Sequence, residues 1–205
     1  MLAAWSKIFL LAGLVLSLGA VPAWPQTGLD YMESNRALDD LSQGIRYNEA
    51  GKQDLAIKRY TYAIDSGRLD KDNLAIAYNN RANAWVDKEE YKQAVGDYSQ
   101  ALTINPNFLE AYFNRGIAYY RLQEYDKSYD DFSRAISLDR DNASAFFNRS
   151  FPLAKKGLVQ KAIEDVQQAL RISPDNDKYA AQLVELRKMA EGKTNQGPSS
   201  PQKSK

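Results

Sequence analysis

The sequence predicts an all-α solenoid: four helix-turn-helix repeats stacked end to end and closed by one further helix. Three observations carry that prediction. Residues 75–108, 109–142 and 143–176 are each 34 residues long, abut without gaps, and carry the related strings AYNNRA, AYFNRG and AFFNRS at the same offset. Small or aromatic residues then recur at fixed offsets inside each unit. The apolar positions of each unit also fall at i, i+3, i+4 and i+7, the period of an amphipathic helix rather than a strand.

The recurring offsets are specific. Position 20 holds Ala94, Ser128 and Ala162; position 24 holds Tyr98, Phe132 and Val166; position 27 holds Ala101, Ala135 and Ala169. Pro106 and Pro174 stand at position 32, where proline stops a helix, while the unit between them has Arg140. A more worn copy spans 37–70, with Gly44, Tyr47, Gly51, Ala56, Tyr60 and Ala63 at positions 8, 11, 15, 20, 24 and 27. Lys71 to Leu74 is then a four-residue insertion, expected to lengthen a loop. Within the third unit, Tyr112, Arg115, Gly116 and Tyr119 form the core face of helix A. Tyr125, Ser128, Phe132, Ala135 and Ile136 form that of helix B. Small residues at positions 8 and 20 let the two helices approach closely.

The remaining segments follow from composition. Residues 1–23 read as a signal peptide: Lys7 is the charged element, Ile8 to Leu18 the apolar run, and Val21-Pro22-Ala23 the cleavage site, with cleavage after Ala23. The run is about half the ~20 residues a membrane-spanning helix needs. An exported, periplasmic or alternatively secreted chain with no stable membrane insertion is therefore expected. Residues 24–36 are assigned to an N-terminal linker. Residues 177–191, with Tyr179, Leu183, Leu186 and Met189 at helical spacing, are a capping helix, and 192–205 a disordered tail without apolar residues.

Composition narrows the chemistry. The chain has 27 basic and 26 acidic residues, so it has no basic field to attract nucleic acid. It has no cysteine and no histidine, which removes thiol nucleophiles, imidazole bases and the usual zinc ligands. No cofactor, no metal and no enzymatic activity are expected. The acidic cluster Asp130, Asp131, Asp139 and Asp141 is the only material for catalysis, and charge runs of this kind are ordinarily solvated helix faces.

These motifs closely resemble the tetratricopeptide-repeat family, whose pattern has an aromatic at 4, Gly at 8, Tyr at 11, Ala at 20, an aromatic at 24, Ala at 27 and Pro at 32. The resemblance covers residues 37–176. It implies a right-handed superhelix whose concave face is lined by the A helices and receives an extended or helical peptide. On that basis the stripe of helix A at positions 2, 5, 9 and 12 points into the groove. It places Asn79, Asn83 and Val86, then Phe113, Ile117 and Tyr120, then Phe147, Phe151 and Ala154 at the binding surface. Phe147 and Phe151 have an equally good reading as packing for a neighbouring repeat or the capping helix. Position 6 is asparagine three times, Asn80, Asn114 and Asn148, a ladder suited to a ligand's backbone or to bonds between repeats.

The family's chaperone-binding members grip a C-terminal carboxylate with lysines, an arginine and asparagines. Here the basic places of that clamp hold Asn79, Ser144 and Asn148 in one register and Leu41, Glu110 and Asn114 in the other, which disfavours such ligands. Two departures from the pattern stand out. Position 7, usually leucine, is Arg81, Arg115 and Arg149, and position 23 is Asp97, Asp131 and Asp165. The first repeat has Gln43 and Arg59 there, so a charge pair between helices A and B is expected in three repeats only. Pro152, at position 10 of the last helix A, is expected to free the Asn148 carbonyl and kink the helix. The function expected is a scaffold or adaptor for a protein or peptide of apolar or aromatic character. A homo-oligomeric, self-assembling envelope module is the alternative.

Overall fold

The computed structural model describes residues 28–194, and among these nine α-helices and no strand are found. They are α1 (Gly28–Glu49), α2 (Gln53–Asp65), α3 (Lys71–Asp87), α4 (Tyr91–Ile104), α5 (Leu109–Arg121), α6 (Tyr125–Leu138), α7 (Ala143–Lys155), α8 (Val159–Ile172) and α9 (Asp177–Thr194). Each helix packs on the one before and the one after. Contacts also join α1 to α3, α3 to α5 and α5 to α7, whereas no comparable contact joins successive B helices. The stack is therefore tighter along its A helices, and that side is the concave one.

Each hairpin closes in one way. Position 15 takes a left-handed backbone in all four repeats, at Gly51 (φ 69°), Glu89 (φ 60°), Gln123 (φ 61°) and Gly157 (φ 78°). The amide of the following residue reaches back five positions, as in Lys52 N–H to the Tyr47 carbonyl at 2.8 Å and Leu158 N–H to that of Leu153 at 2.9 Å. This pair of features is the Schellman ending of a helix, in which glycine avoids the Cβ clash that Glu89 and Gln123 accept.

Between A and B the seam is built from the small and aromatic positions. Tyr60, Tyr98, Phe132 and Val166 at position 24 are essentially inaccessible, as are the residues at positions 20 and 27. A methyl group on Gly44 would lie 2.5 Å from the Tyr60 ring, so glycine at position 8 is what lets α1 and α2 meet there. Ser128, standing where the other repeats have alanine, is buried and donates to the Gly116 carbonyl at 2.8 Å, which satisfies its hydroxyl.

Arg81, Arg115 and Arg149 each grip the aspartate sixteen residues on through two hydrogen bonds of 2.7–2.8 Å. Their remaining Nη1 donates to a hydroxyl on helix B of the preceding repeat: Thr61 at 3.0 Å, Ser99 at 2.9 Å and Ser133 at 3.0 Å. The arginine thus ties hairpin to hairpin as well as A to B. The first repeat is not without a pair. Arg59 reaches Asp40 at 2.9 Å, an exchange of charges in which position 4 carries the acid.

Several boundaries differ from the sequence-based expectation. Residues 28–36, assigned to a linker, belong to α1, because Glu33 and Asp30 hold the start of the helix against Arg68. Lys71 to Leu74 do not lengthen a loop. They add a turn to the front of α3, capped by Asp70, whose carboxylate accepts from the Asn73 amide at 2.8 Å. Helix α7 runs unbroken through the buried Pro152. The last helix extends through Gly192 to Thr194, residues assigned to the tail. Its buried stripe is Tyr179, Leu183, Leu186 and Ala190 rather than one ending at Met189, which is 45% exposed. About eleven residues make three helical turns, so Ala190 and not Met189 returns under Tyr179. The signal peptide with its cleavage site, residues 24–27 and residues 195–205 lie outside the described residues. No described helix is long and apolar enough to cross a membrane.

Candidate functional site

The concave row of A helices gathers the residues singled out from sequence, but not all in one role. Phe113, Asn114, Ile117 and Tyr120 on α5 are half-buried, neither core nor fully open. Phe113 sets its ring edge against Phe132 with centroids 5.7 Å apart, so it contributes to its own hairpin. Tyr120 stands 5.6 Å from Tyr125 and 6.0 Å from Phe151, and Phe151 stands 5.1 Å from Phe147. Phe147 in turn meets Tyr179 of α9 at 4.5 Å. For Phe147 the packing reading therefore holds, because the capping helix covers it. Phe151 and Tyr120 continue that aromatic row outward along the groove.

The asparagines divide three ways. Asn114 Nδ2 donates to Asn83 Oδ1 at 3.1 Å across two repeats, and Tyr98 donates its hydroxyl to the same oxygen at 2.5 Å. Asn148 spends its amide on the Ser144 carbonyl of its own helix at 2.8 Å. Asn80 meets only the neighbouring Asn79 amide, at 3.5 Å. Asn79 itself is 2% exposed, with a long bond to Glu110 at 3.4 Å and its Oδ1 without a hydrogen-bond partner. It is a buried polar group between α3 and α5 rather than a surface contact, since position 5 of that helix lies under Glu110.

Around Asn83 and Asn114 a cavity of about 150 Å³ opens between α3 and α5, lined by Asn83, Val86, Asp87, Tyr98, Asn114 and Ile117. Burial raises the Tyr98 phenol far above its ordinary range, and the negative charges of Glu110 and Asp87 raise it further. The hydroxyl is therefore a neutral, fixed donor to Asn83 at any physiological pH.

Position 2 contributes residues the sequence reading passed over. Leu38 and Ile76 at that position, with Ile45 at position 9 of the first repeat, are 40%, 39% and 36% exposed. They extend the apolar row to the N-terminal end of the groove. Their signal lies in the same stripe, at position 2 and in the first repeat, outside the positions 5, 9 and 12 read across the last three repeats. Among the described residues no group of three or more acidic side chains converges as a metal site requires. Of the acidic cluster on α6 and beyond, Asp131 is committed to Arg115.

Comparison with known proteins agrees with this geometry. A family model described as TPR repeat matches residues 82–123, and one described as Tetratricopeptide repeat matches residues 109–142. The mitochondrial import receptor subunit TOM70 of Homo sapiens is 32% identical over 90 residues, which is 43% of this chain and 15% of that protein. The chain thus spans a small part of the curated relatives it matches. Among solved structures, MamA from Desulfovibrio magneticus RS-1 superposes with a TM-score of 0.71 at 16% identity, covering 77% of this chain and 86% of that one. The first TPR of Spaghetti (RPAP3), bound to the HSP90 peptide SRMEEVD, superposes with a TM-score of 0.57 at 20% identity, covering 58% and 95%. The fold is a tetratricopeptide-repeat solenoid.

Proposed function

We propose that this chain of tetratricopeptide repeats is an exported scaffold that holds a segment of a partner protein along its row of A helices. The observation that carries the proposal is the accessible apolar row from Leu38, Ile45 and Ile76 through Ile117 to Tyr120 and Phe151, divided at its middle by the Asn83–Asn114 pair. Apolar residues kept accessible in a row, with amides between them, are the makings of an interface that anchors side chains and fixes the backbone. The peptide held by the related RPAP3 domain supports the same use of this fold. The leader-like residues 1–23 support a periplasmic location.

Affinity capture from the source cell, followed by titration of the captured partner, tests the reading. The double variant Phe113→Ala, Tyr120→Ala should weaken binding by about 2–4 kcal/mol, as truncation of interface aromatics does. It should cost less stability than the ~3–5 kcal/mol of a fully buried aromatic. Unchanged affinity per folded molecule would remove the groove as the binding surface. A groove filled by a second copy would instead give a concentration-dependent dimer in sedimentation.

A further inference from the structure

Position 13, at the end of each helix A, carries Glu49, Asp87, Arg121 and Lys155 in chain order, all exposed. The edge of the groove is therefore negative along the first two repeats and positive along the last two. Glu110, exposed at the start of α5, adds a third carboxylate to the negative half. Asp87 is also one wall of the cavity between α3 and α5.

Hydrogen-bond direction inside that cavity sharpens the charge argument. Tyr98 has one proton and gives it to Asn83 Oδ1, so the phenol oxygen is left with acceptor capacity only. The Asn114 amide is turned to the same Asn83 oxygen, so a donor of the second asparagine is also spent within the protein. The charged group on the polar side is the carboxylate of Asp87, which Gln53 approaches with a single amide at 3.3 Å, and the Tyr98 oxygen is a further acceptor. Val86 and Ile117 supply apolar walls. A carboxylate with hydrocarbon at the sides complements a lysine or arginine side chain, whose stem packs on apolar surface and whose head donates.

We propose that the crevice between α3 and α5 takes a basic side chain of the bound segment, so that the groove selects partners with a lysine or arginine preceding or following its apolar anchors. This rests on the reading of the concave row as a binding groove, and it names what that groove selects. A carboxylate in the crevice would instead face Asp87, and like charges brought together across an interface disfavour the complex.

A random heptapeptide display library selected on the full chain, with each selected peptide also synthesised with its lysine or arginine changed to glutamate, tests the proposal. The expected result is enrichment of peptides with lysine or arginine at a fixed distance from an apolar residue, and their loss on Phe113→Ala, Tyr120→Ala. Asp87→Asn should weaken those peptides about tenfold, the scale of one charge-assisted hydrogen bond, and Asp87→Lys should weaken them further. Both changes are at an exposed position, so folding is preserved and circular dichroism verifies it. Groove-dependent peptides that are neutral or acidic, undiminished binding of the glutamate-substituted peptides, or indifference of basic peptides to Asp87→Asn would overturn the inference and leave the scaffold reading standing. Failure to enrich any peptide that depends on Phe113 and Tyr120 would overturn both.

Discussion

Breaking the pair between Arg115 and Asp131 should cost about as much singly as jointly. The two hydrogen bonds are 2.7 and 2.8 Å long, the Asp131 side chain is 7% exposed and the Arg115 side chain 17%. Truncating one partner of a fully buried pair costs ~3–5 kcal/mol because a charge is left behind without compensation. The guanidinium here keeps some hydration, so about 2–3 kcal/mol is expected for Arg115→Ala or Asp131→Ala alone. The double variant strands no charge and should lose about the same amount rather than the sum, giving a coupling of about 2 kcal/mol. Lys88 and Asp54 form the internal control: the Asp54 side chain is 83% exposed, and a surface pair couples by ~0.2–1 kcal/mol. Urea unfolding followed by circular dichroism measures both cycles, with constant m-values as the condition for comparing them. A coupling for Arg115 and Asp131 no larger than for Lys88 and Asp54 would refute the claim that burial makes the bidentate pair structural. There is also a pH signature. Burial pushes the Asp131 carboxyl up and Arg115 opposes it. In Arg115→Ala burial and the neighbouring Asp130 act unopposed, so the folded carboxyl holds its proton above the unfolded value, and stability should fall as pH rises through and above the ordinary carboxylate range.

Two further outcomes are expected. Gly44→Ala should destabilise by about 1–2 kcal/mol, because its Cβ would lie 2.5 Å from the buried Tyr60 ring, with helix propensity recovering part of the cost of overpacking. Gly116→Ala, 3.0 Å from Phe132, should be near neutral by the same unfolding measurement, and equal losses would argue against close approach as the reason for glycine in the first repeat. Burial first, and then Glu49, push the Tyr60 phenol up to about 12. An acid raised in the folded state leaves stability unaffected below its unfolded pKa near 10. As pH climbs from there to 12, about 2–3 kcal/mol should be lost, and Tyr60→Phe should flatten that slope.

The period and local spacing alone determine a great deal of this protein. The 34-residue repeat, the small positions 8 and 20, the aromatic at 24 and the sixteen-residue interval between Arg115 and Asp131 all lie within one hairpin. Relations inside a hairpin are short in sequence and repeat, so the chain displays them openly. The candidate groove was legible to the same extent: its stripe follows from helical periodicity once the concave side is known. Contacts between repeats decided the rest. Only the stacked helices reveal that Asn79 is buried beneath Glu110 and that Tyr179 of the last helix covers Phe147. Both of these relations span thirty or more residues and join side chains that differ from copy to copy, so no repeated pattern announces them. The helical fate of residues 28–36 and 71–74 is of the same kind. Their sequences carry little periodic signal, and ion pairs to Arg68 and a cap at Asp70 hold them in helices.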